Sequence, residues 1–244
     1  AAARVRAAVG AGVDVAGLPA SGDRRKRLLV CDMDSTVITV ECIDELADYV
    51  GLKAEVAAIT RRAMNGEIDF APALRERVAL LAGLPAATLE EVYRERVRPM
   101  PGALTCVRTM RRMGARTALV SGGFGFFTRR VARDVGFDVE EANELEVRDG
   151  RLTGRVLEPV RGREAKLAAL RRFAAEDGLT PRDALAAGDG ANDLPMLRAA
   201  GLGVAFRAHP RVAARAAVSI AHGDLTALLY LQGIPEAEFV TPAA

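Results

Sequence analysis

The segment Leu28-Leu29-Val30-Cys31-Asp32-Met33-Asp34-Ser35-Thr36 begins with four apolar residues and breaks into two aspartates one residue apart. Four residues are too few for a helix. They read as a short strand buried on both faces, the kind found in a parallel sheet. Positions i and i+2 of extended backbone point the same way, so the two carboxylates can converge on one ligand. An isolated pair of this kind is commonly a turn or a helix cap. Its place at the end of a buried strand gives it a second reading, and the rest of the chain supports that one.

Working outward, Thr117–Val120 reads as a strand before Ser121-Gly122-Gly123, and Ala184–Ala187 as a strand before Gly188-Asp189-Gly190-Ala191-Asn192-Asp193. Leu202–Ala205 adds one more. Helical spacing covers 102–113, 125–135 and 163–177. Asp149-Gly150, flanked by Leu145, Val147, Leu152 and Val156, signals a hairpin. Strands alternating with helices predict an α/β fold with a doubly wound, mostly parallel sheet. Residues 41–100 interrupt that alternation with helices only: one over 42–50, one capped by Asp69 and one opened by Thr88. The chain therefore divides into a core of 28–40 and 101–244, an inserted helical cap of 41–100, and a stub of 1–27 read as the remnant of a regulatory region.

Composition excludes several classes. The chain has 244 residues, and Lys+Arg 34 against Asp+Glu 32 leaves +2, with no long basic block, so nucleic acid is not a favoured partner. No apolar run approaches the roughly 20 residues of a membrane span. Cys31, Cys42 and Cys106 form no CxxC, which argues against a disulfide framework or a zinc knuckle. With no signal sequence visible, the cytoplasm is the simplest address, and a homo-oligomer is left open.

Ligands of open parallel sheets bind at the carboxyl ends of the strands. There the sequence lines up Asp32 and Asp34, then Ser121 with Gly122, then Asp189, Asn192 and Asp193. Carboxylates gathered at one edge repel unless a cation sits among them, and an all-oxygen set points to Mg²⁺. Ser121 and the glycines after it can offer a hydroxyl and open backbone N–H groups to an anion. Lys166 is one of only three lysines among 34 basic residues, a compact charge suited to a phosphate oxygen. Together these describe phosphoryl transfer to a carboxylate nucleophile. On the helix after Asp69, Arg77 falls inside the apolar stripe of Phe70, Leu74 and Leu81, where it either lays its stem over apolar surface or reaches into the site to grip a carboxylate. Glu41 starts the first cap helix, where it either serves the helix dipole or binds an ammonium group.

Asp32–Thr36, Ser121, Lys166 and Gly188–Asp193, in that order, match the four motifs of the haloacid dehalogenase-like phosphatases, and the chain resembles that family across 28–220. The strings at 31–48, 120–128 and 188–197 are similar to the branch acting on O-phospho-L-serine, the last step of serine biosynthesis. The resemblance implies Asp32 as nucleophile and Asp34 as general acid and base, with the phosphoryl oxygens held by Ser121, Gly122 and Lys166. It also implies Mg²⁺ on Asp32, the Asp34 backbone carbonyl and Asp189, backed by Asp193, with Thr36 and Asn192 in support. Glu41 and Arg77 would grip the amino and carboxylate groups of the substrate, and Met64 and Phe70 would wall the pocket. The alternative within the same scaffold is another small phosphorylated metabolite, such as phosphohomoserine.

Overall fold

The four residues Leu28–Cys31 form strand β1, buried throughout, at the middle of a six-stranded parallel sheet. Alternation along it feeds two cores. Leu29 and Cys31 face one apolar cluster, and Leu28 and Val30 face the other. The computed structural model describes residues 5, 8–10, 12–18, 24–64 and 67–241, without the side chains of Met64 and Arg163. Beyond β1 run β2 (Arg116–Phe124), β3 (Val139–Asn143), the hairpin strands β4 (Leu145–Arg148) and β5 (Arg151–Val156), then β6 (Ala184–Gly188), β7 (Leu202–Phe206) and β8 (Val218–Ile220). The main sheet has the order β3-β2-β1-β6-β7-β8.

Helices cover both faces. After the insertion helices α1 (Cys42–Tyr49), α2 (Lys53–Met64), α3 (Phe70–Ala79) and α4 (Ala87–Arg96) come α5 (Ala103–Arg112), α6 (Gly125–Val135), α7 (Arg163–Glu176), α8 (Leu194–Ala199), α9 (Pro210–Ala213) and α10 (Ala227–Leu231). Cys106, Val107 and Met110 of α5 join Phe127, Val131 and Val135 of α6 in one cluster. Ala169, Leu170 and Phe173 of α7 join Met196 and Leu197 of α8 in the other. Among the described residues no helix is long and apolar enough to cross a membrane.

The helices expected around 102–113, 125–135 and 163–177 form within two residues of those bounds. Strand β2 is longer than expected and runs on through Ser121-Gly122-Gly123 to Phe124. Two edge strands, β3 and β8, and helix α2 were not anticipated. Asp69 does precede α3, but its side chain makes no capping hydrogen bond.

The helical insertion leaves the core after Val37 and returns at Met100. The two crossings pair with each other, Thr39 N–H donating to Arg98 O at 3.0 Å and Met100 N–H to Val37 O at 2.8 Å. The β4–β5 hairpin, turned at Asp149 and Gly150 with both φ positive, lies off the main sheet. It bonds instead to the segment after α3, where Gly83 N–H donates to Leu152 O and Leu152 N–H to Leu84 O. A third tie joins α4 to α6 through Tyr93 Oη on Asp134 at 2.5 Å and Arg130 on Glu90 at 2.9 Å. In the N-terminal segment, Asp14 accepts the backbone N–H groups of Ala221, His222 and Gly223, and Ala16 and Leu18 pack on the core.

Helix α8 follows the loop after β6 and is pressed on β7 so closely that a Cβ at Gly203 would overlap the Leu197 carbonyl. Because the obstacle is backbone, no side chain can give way. Gly203→Ala is expected to cost about 3 kcal/mol, the upper part of the usual overpacking range. A fall in melting temperature of a degree or less would contradict this packing.

Candidate functional site

The site lies where the sheet order reverses, between β1 and its two parallel neighbours β2 and β6. Register aligns Cys31 with Ala187, and Asp32 N–H continues the ladder onto Ala187 O at 2.9 Å. Asp32 therefore sits level with Gly188, and Asp189 leaves β6 one residue further on. Lys166 from α7, 1% exposed, comes between Asp32 and Asp193, its Nζ 2.7 Å from Asp32 Oδ2 and 2.7 Å from Asp193 Oδ1. Asp193 Oδ2 accepts the Gly190 N–H at 2.9 Å, so both of its oxygens are engaged. Thr36, fully buried, places its hydroxyl 3.4 Å from Asp189 Oδ1.

The other half of the edge comes from β2. Ser121, 2% exposed, accepts the Gly123 N–H on its Oγ at 2.8 Å and sits 3.4 Å from Asp34 Oδ2. Asp34 Oδ1 accepts the N–H of Cys42, the first residue of α1, at 2.9 Å. A Cβ on Gly123 would come within 2.8 Å of Asp34 Oδ2, and one on Gly122 within 2.8 Å of the Phe70 ring. Glycine at both positions lets a carboxylate and the insertion's Phe70 approach the backbone. The Gly122 carbonyl is fixed by Asn143 Nδ2 at 2.8 Å, and Asn143 also holds the backbone of Arg161. Asn143 was not singled out from the sequence, because a lone Asn at a strand end reads as a turn residue.

Burial and crowding shape the charges. Loss of hydration, then the nearby Asp193 charge, push Asp32 well above the usual carboxylate range, with Lys166 opposing. Asp189 is pushed up to about 7 by burial first and Asp193 second. Burial also raises Asp34, tempered by the hydrogen bonds from Cys42 and Ser121. Lys166 is raised too: burial disfavours its charge, but Asp193 and Asp32 outweigh it.

Carboxylate oxygens of Asp32, Asp189 and Asp193 all lie within 4.8 Å of one another. When ionised, the three carboxylates outnumber the one ammonium in an all-oxygen setting. That donor set fits a hard divalent cation.

Glu41 caps α1 and accepts the Ser35 hydroxyl at 2.6 Å. Solvent still reaches it, yet lost hydration and the Asp34 charge push its pKa upward. Arg77 is half-buried on α3, its pKa lowered by burial and raised by the charges of Asp44, Glu41 and Asp34. Among the described residues it has no ion pair, whereas Arg75, pointing elsewhere, binds Glu158 at 2.6 Å. Phe70 lies against Gly122 and Gly162. Asn192 folds its amide oxygen over Gly190, within the loop that carries Asp189. The side chain of Met64 lies outside the described residues. His209 caps α9 and has no part in this cluster.

The model of the haloacid dehalogenase-like hydrolases matches residues 29–198, and the chain belongs to that family. It is an enzyme, a phosphatase, and among the curated proteins it resembles are phosphoserine phosphatases. The one from Polaromonas sp. is 50% identical over 84% of this chain and 89% of its own length. That of Mycobacterium tuberculosis is 48% identical over 88% of this chain, which spans about half, 52%, of that relative. A solved structure of a phosphoserine phosphatase carrying an analogue of the phospho-aspartyl intermediate shares 38% identity with a TM-score of 0.79, covering 84% of this chain and 98% of that one.

The raised carboxylates give a pH signature to the cation-free protein. Between about pH 4 and about pH 7 the unfolded chain has lost protons that Asp189 keeps when folded, so stability falls as pH rises. A divalent cation, which needs the ionised carboxylates, should raise the melting temperature more at about pH 8 than at about pH 5. Asp189→Asn should flatten both trends. A cation effect of equal size at the two pH values would refute the assignment.

Proposed function

We propose that this chain is a Mg²⁺-dependent phosphoserine phosphatase of the cytoplasm, hydrolysing O-phospho-L-serine to L-serine and phosphate through an aspartyl phosphate on Asp32. The carrying observation is one cleft with two ends: the edge of Asp32, Lys166 and Ser121, and an arginine from the insertion with no ion pair among the described residues. The match to relatives of that name points the same way. The reading divides labour along the chain, with residues 41–100 serving as a cap that selects the substrate.

In the first half-reaction an Asp32 oxygen attacks phosphorus, and the bond from phosphorus to the serine oxygen breaks. Asp34, whose buried carboxyl favours the protonated form, gives its proton to the departing oxygen. In the second, the ionised Asp34 takes a proton from water as that water attacks the phosphorus, and the bond to Asp32 breaks. Lys166, the Ser121 hydroxyl and the Gly122 N–H hold the phosphoryl oxygens while charge spreads over them. When bound, Mg²⁺ supplies charge neutralisation at the phosphoryl group. Asp32, Asp189 and the Asp34 backbone carbonyl would hold it, and Asp193, itself fixed by Lys166 and Gly190, would back them. Thr36 and Asn192 support the loop.

Arg77 and Glu41 present opposite charges, which suits a zwitterionic amino-acid phosphate better than a sugar or lipid phosphate. The test of the reaction is phosphate release from O-phospho-L-serine with and without Mg²⁺, in the parent chain and in Asp32→Asn. Turnover should require the cation, and Asp32→Asn should lower it by orders of magnitude. Activity that persists in a strong chelator, or in Asp32→Asn, would overturn the mechanism.

Specificity has its own signature. Arg77→Ala should weaken use of phosphoserine by about 2–5 kcal/mol in kcat/KM, the range for removing one partner of a desolvated charge pair. Glu41→Gln should impair it as well. Hydrolysis of p-nitrophenyl phosphate, which has neither group, should change little. A structural arginine would instead cost both substrates equally and lower the melting temperature.

A further inference from the structure

Among the described residues, two hydrogen bonds hold Arg77, and neither partner is a carboxylate. Its neighbours on α3 and α2 are tied by carboxylates, Arg75 to Glu158 and Arg62 to Glu76 at 2.9 Å. Arg77 is tied by neutral oxygens alone: its Nε donates to Ala73 O at 3.3 Å, one turn back on α3, and its Nη1 to Thr60 Oγ1 of α2 at 3.4 Å. The Thr60 hydroxyl proton is already committed, donating to Val56 O at 3.1 Å. The oxygen can therefore act toward Arg77 only as an acceptor.

We propose that Thr60 is a specificity-positioning residue, a neutral acceptor that aims the Arg77 guanidinium into the cleft without neutralising it. This rests on the reading of Arg77 as the group that binds the substrate carboxylate. A carboxylate at position 60 would orient the guanidinium too, but would compete with the substrate for it. A residue without an acceptor would leave a long, flexible side chain to be ordered at the moment of binding. A hydroxyl back-bonded to its own helix avoids both. The two neutral bonds use two of the five guanidinium N–H donors and leave a paired face for bidentate recognition. Thr60 and Arg77 lie on different helices, so their contact also sets the register of α2 against α3 beside the cleft.

The test is steady-state kinetics of Thr60→Val, Thr60→Ser, Arg77→Ala and the double variant Thr60→Val/Arg77→Ala, each on O-phospho-L-serine and on p-nitrophenyl phosphate, with melting temperatures alongside. Thr60→Val keeps the shape and loses the acceptor. It should raise KM for phosphoserine about five- to tenfold, the worth of one neutral hydrogen bond, with kcat and the aryl substrate unchanged. Thr60→Ser should match the parent. In the Arg77→Ala background, Thr60→Val should add nothing. If Arg77→Ala impairs phosphoserine selectively while Thr60→Val behaves as the parent, Thr60 does not aim it and the clamp stands. If Arg77→Ala fails to discriminate between the substrates, the clamp itself is wrong and the role of Thr60 falls with it. Equal losses on both substrates in Thr60→Val, with a lower melting temperature, would make the contact a packing feature and overturn the proposal.

Discussion

A lysine ammonium sealed between two carboxylates at the end of the central strand is the constraint the rest of the structure serves. Lys166 and Asp193 are shut off from solvent, while Asp32 is buried but keeps 6% of its surface exposed. Such a group is costly to bury and more costly to leave half-made, since removing one member strands the others. Bringing the three together requires β1 beside β6, α7 laid over one face, and the loop after β6 folded back by the Gly190 N–H. The parallel register supplies the first condition and the apolar face of α7 the second. Stability and position therefore share the same residues: the triad that closes the sheet edge holds Asp32 Oδ2, while the Met33 N–H holds Oδ1 at 2.8 Å.

The remaining groups arrive from outside the sheet. Asp34 accepts the first N–H of α1, so the insertion begins on a carboxylate of the core. Phe70 rests on Gly122, and Arg77 of α3 is held to α2 through Thr60. The insertion is held at three places, by its paired crossings, by the β4–β5 hairpin and by the α4–α6 contacts. Three separated ties restrict its freedom to slide while leaving the cleft between it and the sheet edge.

The buried strand β1 and the loops after β2 and β6 were legible because parallel strands are short apolar runs ending where chemistry collects. The hairpin was legible because Asp149-Gly150 matches a turn with two positive φ angles. Strand β3 was not, since Val139-Glu140-Glu141-Ala142-Asn143 is an edge whose glutamates are satisfied by Thr128, Arg161 and Arg172 rather than by an apolar pattern. Helix α2 escaped notice because, among its described side chains, only Val56 and Ile59 are large, apolar and buried. Within the site, the paired aspartates, Ser121 and Lys166 announced themselves by residue type and position. Thr60 and Asn143 act through hydroxyl and amide contacts across the fold, which carry no local pattern, and only the tertiary arrangement reveals them.

The three cysteines have a practical consequence. All are free and buried, Cys31 beside Asp32 and Cys42 at the start of the insertion. Burial, with Cys106 and Asp32 adding to it at Cys31 and Asp34 at Cys42, pushes both thiols well above their ordinary value, and burial lifts Cys106 to about 12. Thiolate is the reactive form, so the native fold offers electrophiles almost nothing to alkylate. The sulfurs thus form a set of silent reporters at three places: one at the end of β1, one in the insertion, one on α5. The order in which they become reactive during gentle denaturation is a map of which part of the molecule loosens first.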